Sequence, residues 1–320
     1  MGNEEAGVAV AVGVVKYFSY SKLNDFSQCE MRYAYRSVLG YKPKQQGRGL
    51  SLGTLLHRLI DAWWRDGSEL ELTITEIVSN FTAEYRDRVD PTVLISVVDD
   101  ATWLADRYFR HYAKDRGRFK VLASELELRV PLPKPPGDYH GHPWPDYGLV
   151  MIIDQVVREP DLGALVLVER KTMSNWRDER LLEMDPQIST YIYGLRQPQI
   201  ERALGFGGPV AFGMFDAIRT YRWTAKKEER PTYESFRRIL VDRSDAEGRQ
   251  FALDTYRMCL AADQAEHRGW FLRNVSNSAD LGCRNCDFLA PCLEGMRGSV
   301  ESEQAVLAES YTTREEREKV

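Results

Sequence analysis

Two apolar runs carry the residues best equipped for chemistry. The run LVMIIDQVV holds Asp154, the run GALVLVERKT holds Glu169, Arg170 and Lys171, and REPDLG between them reads as a hairpin turn. Side chains alternate along a strand, so Glu169 and Lys171 project from one face and Arg170 from the other. Carboxylates beside a lysine on a buried face are costly unless something compensates them. A hard divalent cation held by oxygen ligands is the natural compensation. The competing reading is an edge hairpin with solvated charges, and periodicity alone weighs the two evenly.

A second constellation lies near the end of the chain. GCRNCDFLAPC spaces Cys283, Cys286 and Cys292 as Cys-x2-Cys-x5-Cys, so three thiolates can converge on one centre. Tetrahedral zinc and a four-iron cluster both call for a fourth ligand. Cys29 or Cys259 must supply it. Five cysteines, an odd number with three clustered, do not suggest a secreted disulfide framework and fit a reducing compartment. Cys259 is also well explained as a buried structural thiol.

The elements that must position these groups can be read from periodicity. SYSKLNDFSQCEMRYAYRSVLG reads as a helix opening after Ser21, with Leu23 and Phe26 on one face, Cys29 inside it and Gly40 as its stop. LSLGTLLHRLIDAWW places Leu52, Leu55, Leu56, Leu59, Ile60 and Trp63 on one buried helical face. Helices follow in ITEIVSNFTAEY and DDATWLADRYFRHYAKD, then a strand in FKVLASELELRVPL and a long loop whose prolines exclude regular structure. After the hairpin, DPQISTYIYGLRQ is a helix capped by Asp185 with Pro186 in its first turn. GPVAFGMFDAIRTYRWT is a strand, and TYESFRRILVD and RQFALDTYRMCLAADQAEHRGWF read as helices. The charged final segment is an end helix or a frayed tail.

Composition bounds the setting. With 320 residues, 43% hydrophobic and 28% charged, the chain can bury a sizeable core as one elaborated domain or two closely joined ones. A net charge of −5 argues against indiscriminate coating of nucleic acid but leaves room for a local basic groove. The charge runs KPKQQGR and AKKEERP read more readily as solvated loops than as DNA contacts. The apolar GVAVAVGVV follows Glu4 and Glu5, lacks a basic flank and is too short for a membrane span, and Ala6 stands where myristoylation wants Ser or Thr. A cytoplasmic address without membrane attachment is the simplest expectation.

Asp154 followed by Glu169-Arg170-Lys171 in the next strand resembles the PD-(D/E)XK nuclease signature. The RecB-type branch adds a helical Gly-x-x-x-His, matched by Gly53 and His57, and a later helical Gln-x-x-x-Tyr, matched by Gln187 and Tyr191. RecB-type nucleases with an iron-sulfur cluster, including CRISPR-associated exonucleases and the AddB nuclease subunit, are similar to this chain in order: an early cysteine, the core, then Cys-x2-Cys-x5-Cys. By that resemblance Cys29, Cys283, Cys286 and Cys292 ligate a 4Fe-4S cluster and Cys259 does not. Two departures stand out: Glu30 follows Cys29 where the family has proline, loosening the expected helix break, and Ile153 precedes Asp154 where proline is usual. Glu125 also resembles a recurring family carboxylate, although Glu127 shares its face.

The resemblance implies an α/β fold: a restriction-endonuclease-like central mixed sheet flanked by helices, with N- and C-terminal helical segments joined by the cluster. It divides the chain into an extension (1–18), a helical region with Cys29 and His57 (19–120), the nuclease core (121–225), a helical and cluster region (226–298) and a charged tail (299–320). His57, Asp154, Glu169 and the Arg170 backbone carbonyl would bind Mg2+ or Mn2+. Lys171 would orient or deprotonate the attacking water, Gln187 would place Lys171 or the phosphate, and Tyr191 would face the same groove. The implied activity is a DNA exonuclease acting on single-stranded 5′ ends in recombination, repair or CRISPR adaptation, in phage or bacteria. A second copy of the chain or a recombination or adaptation protein stays open as a partner. The rivals are a non-catalytic DNA-binding or assembly subunit with the same fold and a zinc-stabilised regulator.

Overall fold

The computed structural model describes residues 15–65, 70–115, 118–176, 178–220, 235–275 and 282–317. The chain opens with β1 (Lys16–Ser19), α1 (Tyr20–Gln28), α2 (Glu30–Tyr33), a π-helical turn (Ala34–Val38) and β2 (Lys42–Pro43). Three helices follow: α3 (Arg48–Arg65), α4 (Leu70–Tyr85) and α5 (Pro91–His111). Next come β3 (Lys120–Pro131), β4 (Tyr147–Arg158) and β5 (Leu165–Met173), then α6 (Glu179–Glu183), α7 (Pro186–Leu195) and α8 (Pro198–Leu204). β6 (Val210–Arg219) and β7 (Phe236–Val241) precede α9 (Asp245–Arg268), α10 (Leu289–Met296), α11 (Val300–Ser310), β8 (Tyr311–Thr312) and α12 (Arg314–Arg317). These elements fall into two compact units. One comprises Gly47–Val130 and Leu149–Ala252, the other Val14–Gln46, Pro131–Gly148 and Leu253–Val320.

The first unit is built on a mixed sheet ordered β3-β4-β5-β6-β7 and flanked by helices. β4 and β5 form the expected antiparallel hairpin, β5 and β6 run parallel, and β6 and β7 are antiparallel. A parallel step needs a crossover, which α6, α7 and α8 supply. β5 lies mid-sheet, and its residues Leu165 to Arg170 are all buried. α3 buries Leu52, Leu55, Leu56, Leu59, Ile60 and Trp63 against a core that includes Phe81, Val97, Leu104 and Tyr108. Full burial of one such aliphatic side chain stabilises by about 1.5–3 kcal/mol, so this stripe fixes which face of α3 turns inward.

The segment TYESFRRILVD departs from its helical reading. Phe236–Val241 is β7, paired with β6 from Ile218↔Phe236 to Gly213↔Val241. Its short pattern suits either period, and the open edge of β6 decides, because strand preference follows the neighbour available for pairing. AKKEERP lies outside the described residues. From KPKQQGR, Lys44 donates to the Ala308 and Glu309 carbonyls and Arg48 pairs with Asp100.

In the second unit, Ser19 rather than Ser21 caps α1, accepting the Lys22 amide. The single helix expected from Ser21 to Gly40 is interrupted at Cys29, whose backbone is extended with φ −166° and ψ 120°. Gly40 ends the segment with φ +71°, a conformation that suits glycine. Tyr35, Phe288 and Tyr311 stack with ring centroids 5.3 Å apart, and β2 pairs with β8. Within α9, Tyr256, Cys259, Ala262 and Ala265 are buried. No helix among the described residues is long and apolar enough to cross a membrane.

Candidate active site and cysteine cavity

The β4–β5 ladder runs from Arg158↔Leu165 to Gln155↔Val168. One step further along, a side chain takes over: Asp154 Oδ2 accepts the Arg170 N–H at 2.8 Å. The same oxygen lies 3.7 Å from His57 Nδ1. Glu169 Oε1 accepts from Gln187 Nε2 at 2.7 Å and is 3.5 Å from Lys171 Nζ. Lys171 in turn donates to Gln187 Oε1, and Gln187 Nε2 donates to the Tyr191 hydroxyl at 2.8 Å. Asp154 and His57 thus meet, as do Glu169, Lys171, Gln187 and Tyr191. The Arg170 peptide lies against Asp154 through its N–H, and the role of its carbonyl rests with the resemblance.

Local sequence explains how these groups are delivered. Strand alternation turns Glu169 and Lys171 the same way, and their 3.5 Å approach follows. Gln187 and Tyr191 stand one helical turn apart on α7, whose start is set by the Asp185 cap on the Gln187 amide. Two glycines allow close approach. A Cβ on Gly213 of β6 would sit 2.6 Å from Ile188 Cδ1 on α7, and one on Gly53 of α3 would sit 3.0 Å from Thr172 Oγ1 on β5. Gly53 is one turn before His57, so the glycine of the Gly-x-x-x-His pair brings α3 against the strand that carries Glu169 and Lys171.

Burial, with Asp154 close by, holds the Glu169 carboxyl well above the usual carboxylate range, and Lys171 opposes that shift. Burial lowers the His57 imidazole despite Asp154, which keeps it neutral at pH 7 with a lone pair to offer. Glu169 Oε2 is buried without a hydrogen-bond partner. An orphaned carboxylate oxygen beside a second carboxylate and a neutral imidazole is a donor set that suits Mg2+ or Mn2+. Among the described residues, no group of three or more His, Cys, Asp or Glu side chains is arranged so that it could hold a metal ion as it stands. The present partners of Asp154 and Glu169 are N–H donors, an imidazole and an ammonium.

Glu125 and Glu127 separate in the structure. Glu127 pairs with Arg129, whereas the Glu125 carboxyl is raised by partial burial and by Asp154. Glu125 also adopts φ +49°, uncommon for a non-glycine residue. Sequence reasoning passed over Gln155 and Asp61, two buried polar residues bonded to each other at 2.8 Å. The available signal was a glutamine inside the apolar run of β4.

The second unit brings four cysteines to one cavity. Cys29, Cys283, Cys286 and Cys292 all line a space of about 480 Å3, together with Arg273 and Phe288. All four are free thiols, and burial raises Cys286 and Cys292. The extended backbone at Cys29 delivers its sulfur, which accepts the Asn274 amide at 3.4 Å. Cys259 is fully buried on α9 and does not line the cavity.

Comparison with known proteins places these features in context. Residues 17–293 match the family model of the PD-(D/E)XK nuclease superfamily. Among solved structures, a protein described as a "putative exonuclease" from Eubacterium rectale is 16% identical, with 86% of this chain and 87% of that one covered and a TM-score of 0.47. A second, SSO0001, is 12% identical over 74% of this chain and 82% of its own, with a TM-score of 0.33. No curated protein matches the chain.

Proposed function

Because the chain belongs to the PD-(D/E)XK nuclease superfamily, we propose that it is a divalent-metal-dependent deoxyribonuclease of the RecB-type iron-sulfur branch, acting from single-stranded DNA ends. The observation that carries the catalytic reading is Glu169: a buried carboxylate with an unpartnered oxygen, beside Lys171 and Gln187. Such a group is costly in a fold that serves no cation. His57, Asp154 and Glu169, with the Arg170 carbonyl, would hold Mg2+ or Mn2+. When bound, the cation lowers the pKa of water and offsets charge on the scissile phosphate.

The protein's own groups account for the remainder. Gln187 fixes the direction of the Lys171 ammonium through its carbonyl oxygen. Lys171 then has N–H bonds to offer an attacking water or a phosphate oxygen, and on losing a proton it can take one from that water. Tyr191, held by Gln187, adds a hydroxyl at the same place. Glu125 is an additional carboxylate, whose proton affinity burial and the Asp154 charge raise.

The choice of an iron-sulfur cluster over zinc rests on the resemblance; that Cys29, Cys283, Cys286 and Cys292 line one cavity is compatible with either four-thiolate centre. Iron analysis and visible absorbance of anaerobically purified protein test this, and stoichiometric zinc without absorbance would refute it.

The test of the activity is incubation with end-labelled linear and covalently closed DNA, with and without Mn2+. Progressive loss of linear single strands, survival of circles and inactivity without the cation are expected, with label placement reporting the 5′ polarity suggested by the resemblance. Rapid nicking of circles would replace the exonuclease reading with an endonuclease. Recombination, repair and CRISPR adaptation are the processes such an activity would serve.

A further inference from the structure

Three buried polar side chains of the first unit form a bonded chain. Arg170 Nη2 donates to Gln155 Oε1 at 2.5 Å, and Gln155 Nε2 donates to Asp61 Oδ1 at 2.8 Å. Arg65 ties off the other oxygen of Asp61, and Ser124 Oγ lies 3.4 Å from Gln155 Nε2. Exposure is 2% for Arg170, 0% for Gln155 and 5% for Asp61. Each member adjoins a candidate site residue in sequence. Asp61 is one helical turn after His57 on α3, Gln155 follows Asp154 on β4, and Arg170 stands between Glu169 and Lys171 on β5.

Apolar contacts alone define the position of α3 loosely, because hydrophobic burial has no direction. Hydrogen bonds are directional and fail when the heavy atoms separate beyond about 3.5 Å. Well-packed apolar residues of similar volume are often as stabilising as a buried ionic chain, so stability gives little reason to keep one here. A geometric reason is available, since α3, β4 and β5 each contribute a group to the candidate cation site.

We propose that Asp61, Gln155 and Arg170 are positioning residues: a buried relay that holds His57 on α3 in register with Asp154, Glu169 and Lys171. The proposal rests on the metal-site reading of those residues. In this role none of the three would touch the cation or the substrate through its side chain. Their effect is to set the mutual placement of groups that do, as outer partners of metal ligands do elsewhere.

The test measures Mn2+ binding to the full-length protein by electron paramagnetic resonance, separately from cleavage. Gln155→Leu removes both central bonds at similar volume, and Asp61→Ala removes one end, so either variant serves if the other does not fold. Leu104→Ala, a buried change on α5 outside the relay, controls for simple loss of stability. Relay variants are expected to weaken Asp154-dependent Mn2+ binding roughly tenfold to a hundredfold, as outer-shell changes typically do. Asp61→Asn, which keeps an acceptor oxygen, should retain more affinity than Asp61→Ala, and Leu104→Ala should bind like the parent despite its lower Tm. Parent-like binding by the relay variants, or an equal loss in Leu104→Ala, would overturn the relay. A parent with no Asp154-dependent binding would instead overturn the metal-site reading beneath it.

Discussion

Gln187 Nε2 donates to Glu169 Oε1 over 2.7 Å, while the carbonyl end of the same carboxamide accepts from Lys171. One neutral side chain therefore orients both members of the Glu169–Lys171 pair. Gln187→Ala should lower kcat roughly tenfold to a hundredfold with a smaller change in KM, the scale seen when an outer partner is lost. Gln187→Glu should fall further, because it faces Glu169 with a second carboxylate. Single-turnover cleavage at saturating DNA checks both, and equal rates for parent and Gln187→Ala would remove the orienting role.

Gly213 sets how closely α7 approaches β6. In Gly213→Ala the new methyl group would meet Ile188, the residue next to Gln187. Overpacking of this kind costs about 1–3 kcal/mol, and the displaced helix should also slow cleavage. Urea unfolding and cleavage assays on the same preparation should show both losses.

Burial pushes the Cys259 thiol up to about 12. The folded state therefore holds its proton more tightly than the unfolded chain, whose thiol titrates near its ordinary value of 9.0. This contribution to stability is intact below about pH 9 and is lost as pH rises toward 12. Cys259 should resist iodoacetamide at pH 8 in the native protein and react on unfolding, and Cys259→Ala should leave any visible absorbance unchanged. Mass spectrometry of the alkylated peptide reads the result.

Cys29 and Cys283 lie far apart in sequence yet line one cavity. A cluster linking them, as proposed, would close a loop of about 250 residues and by the chain-entropy estimate would contribute up to roughly 5 kcal/mol. Cys29→Ala should lose the visible absorbance and much of its thermal stability, while its folded fraction still cleaves with added Mn2+. A variant as stable as the parent but inactive would show that the cluster acts in the reaction or on DNA.

Much of the site could be read from local pattern. Alternation put Glu169 and Lys171 on one face, and the i, i+4 spacing put Gln187 beside Tyr191; both pairs meet in the structure. The Asp185 cap and the β4–β5 hairpin followed from equally local rules. Failures arose where distant partners decide. Phe236–Val241 becomes a strand because β6 offers an edge, and the helix through Cys29 breaks where its sulfur meets Asn274, some 245 positions away. The Asp61–Gln155–Arg170 chain joins three elements, and no single window contains its logic.

The most direct measurement compares the parent, Glu169→Gln and Lys171→Ala for Mn2+ binding and for cleavage of end-labelled single-stranded DNA. Glu169→Gln should lose both, because it removes a ligand charge at nearly constant shape. Lys171→Ala should keep Mn2+ binding and lose turnover, because an ammonium is no metal ligand. Full cleavage by Glu169→Gln, or loss of Mn2+ affinity in Lys171→Ala equal to that in Glu169→Gln, would contradict the assignment of this site.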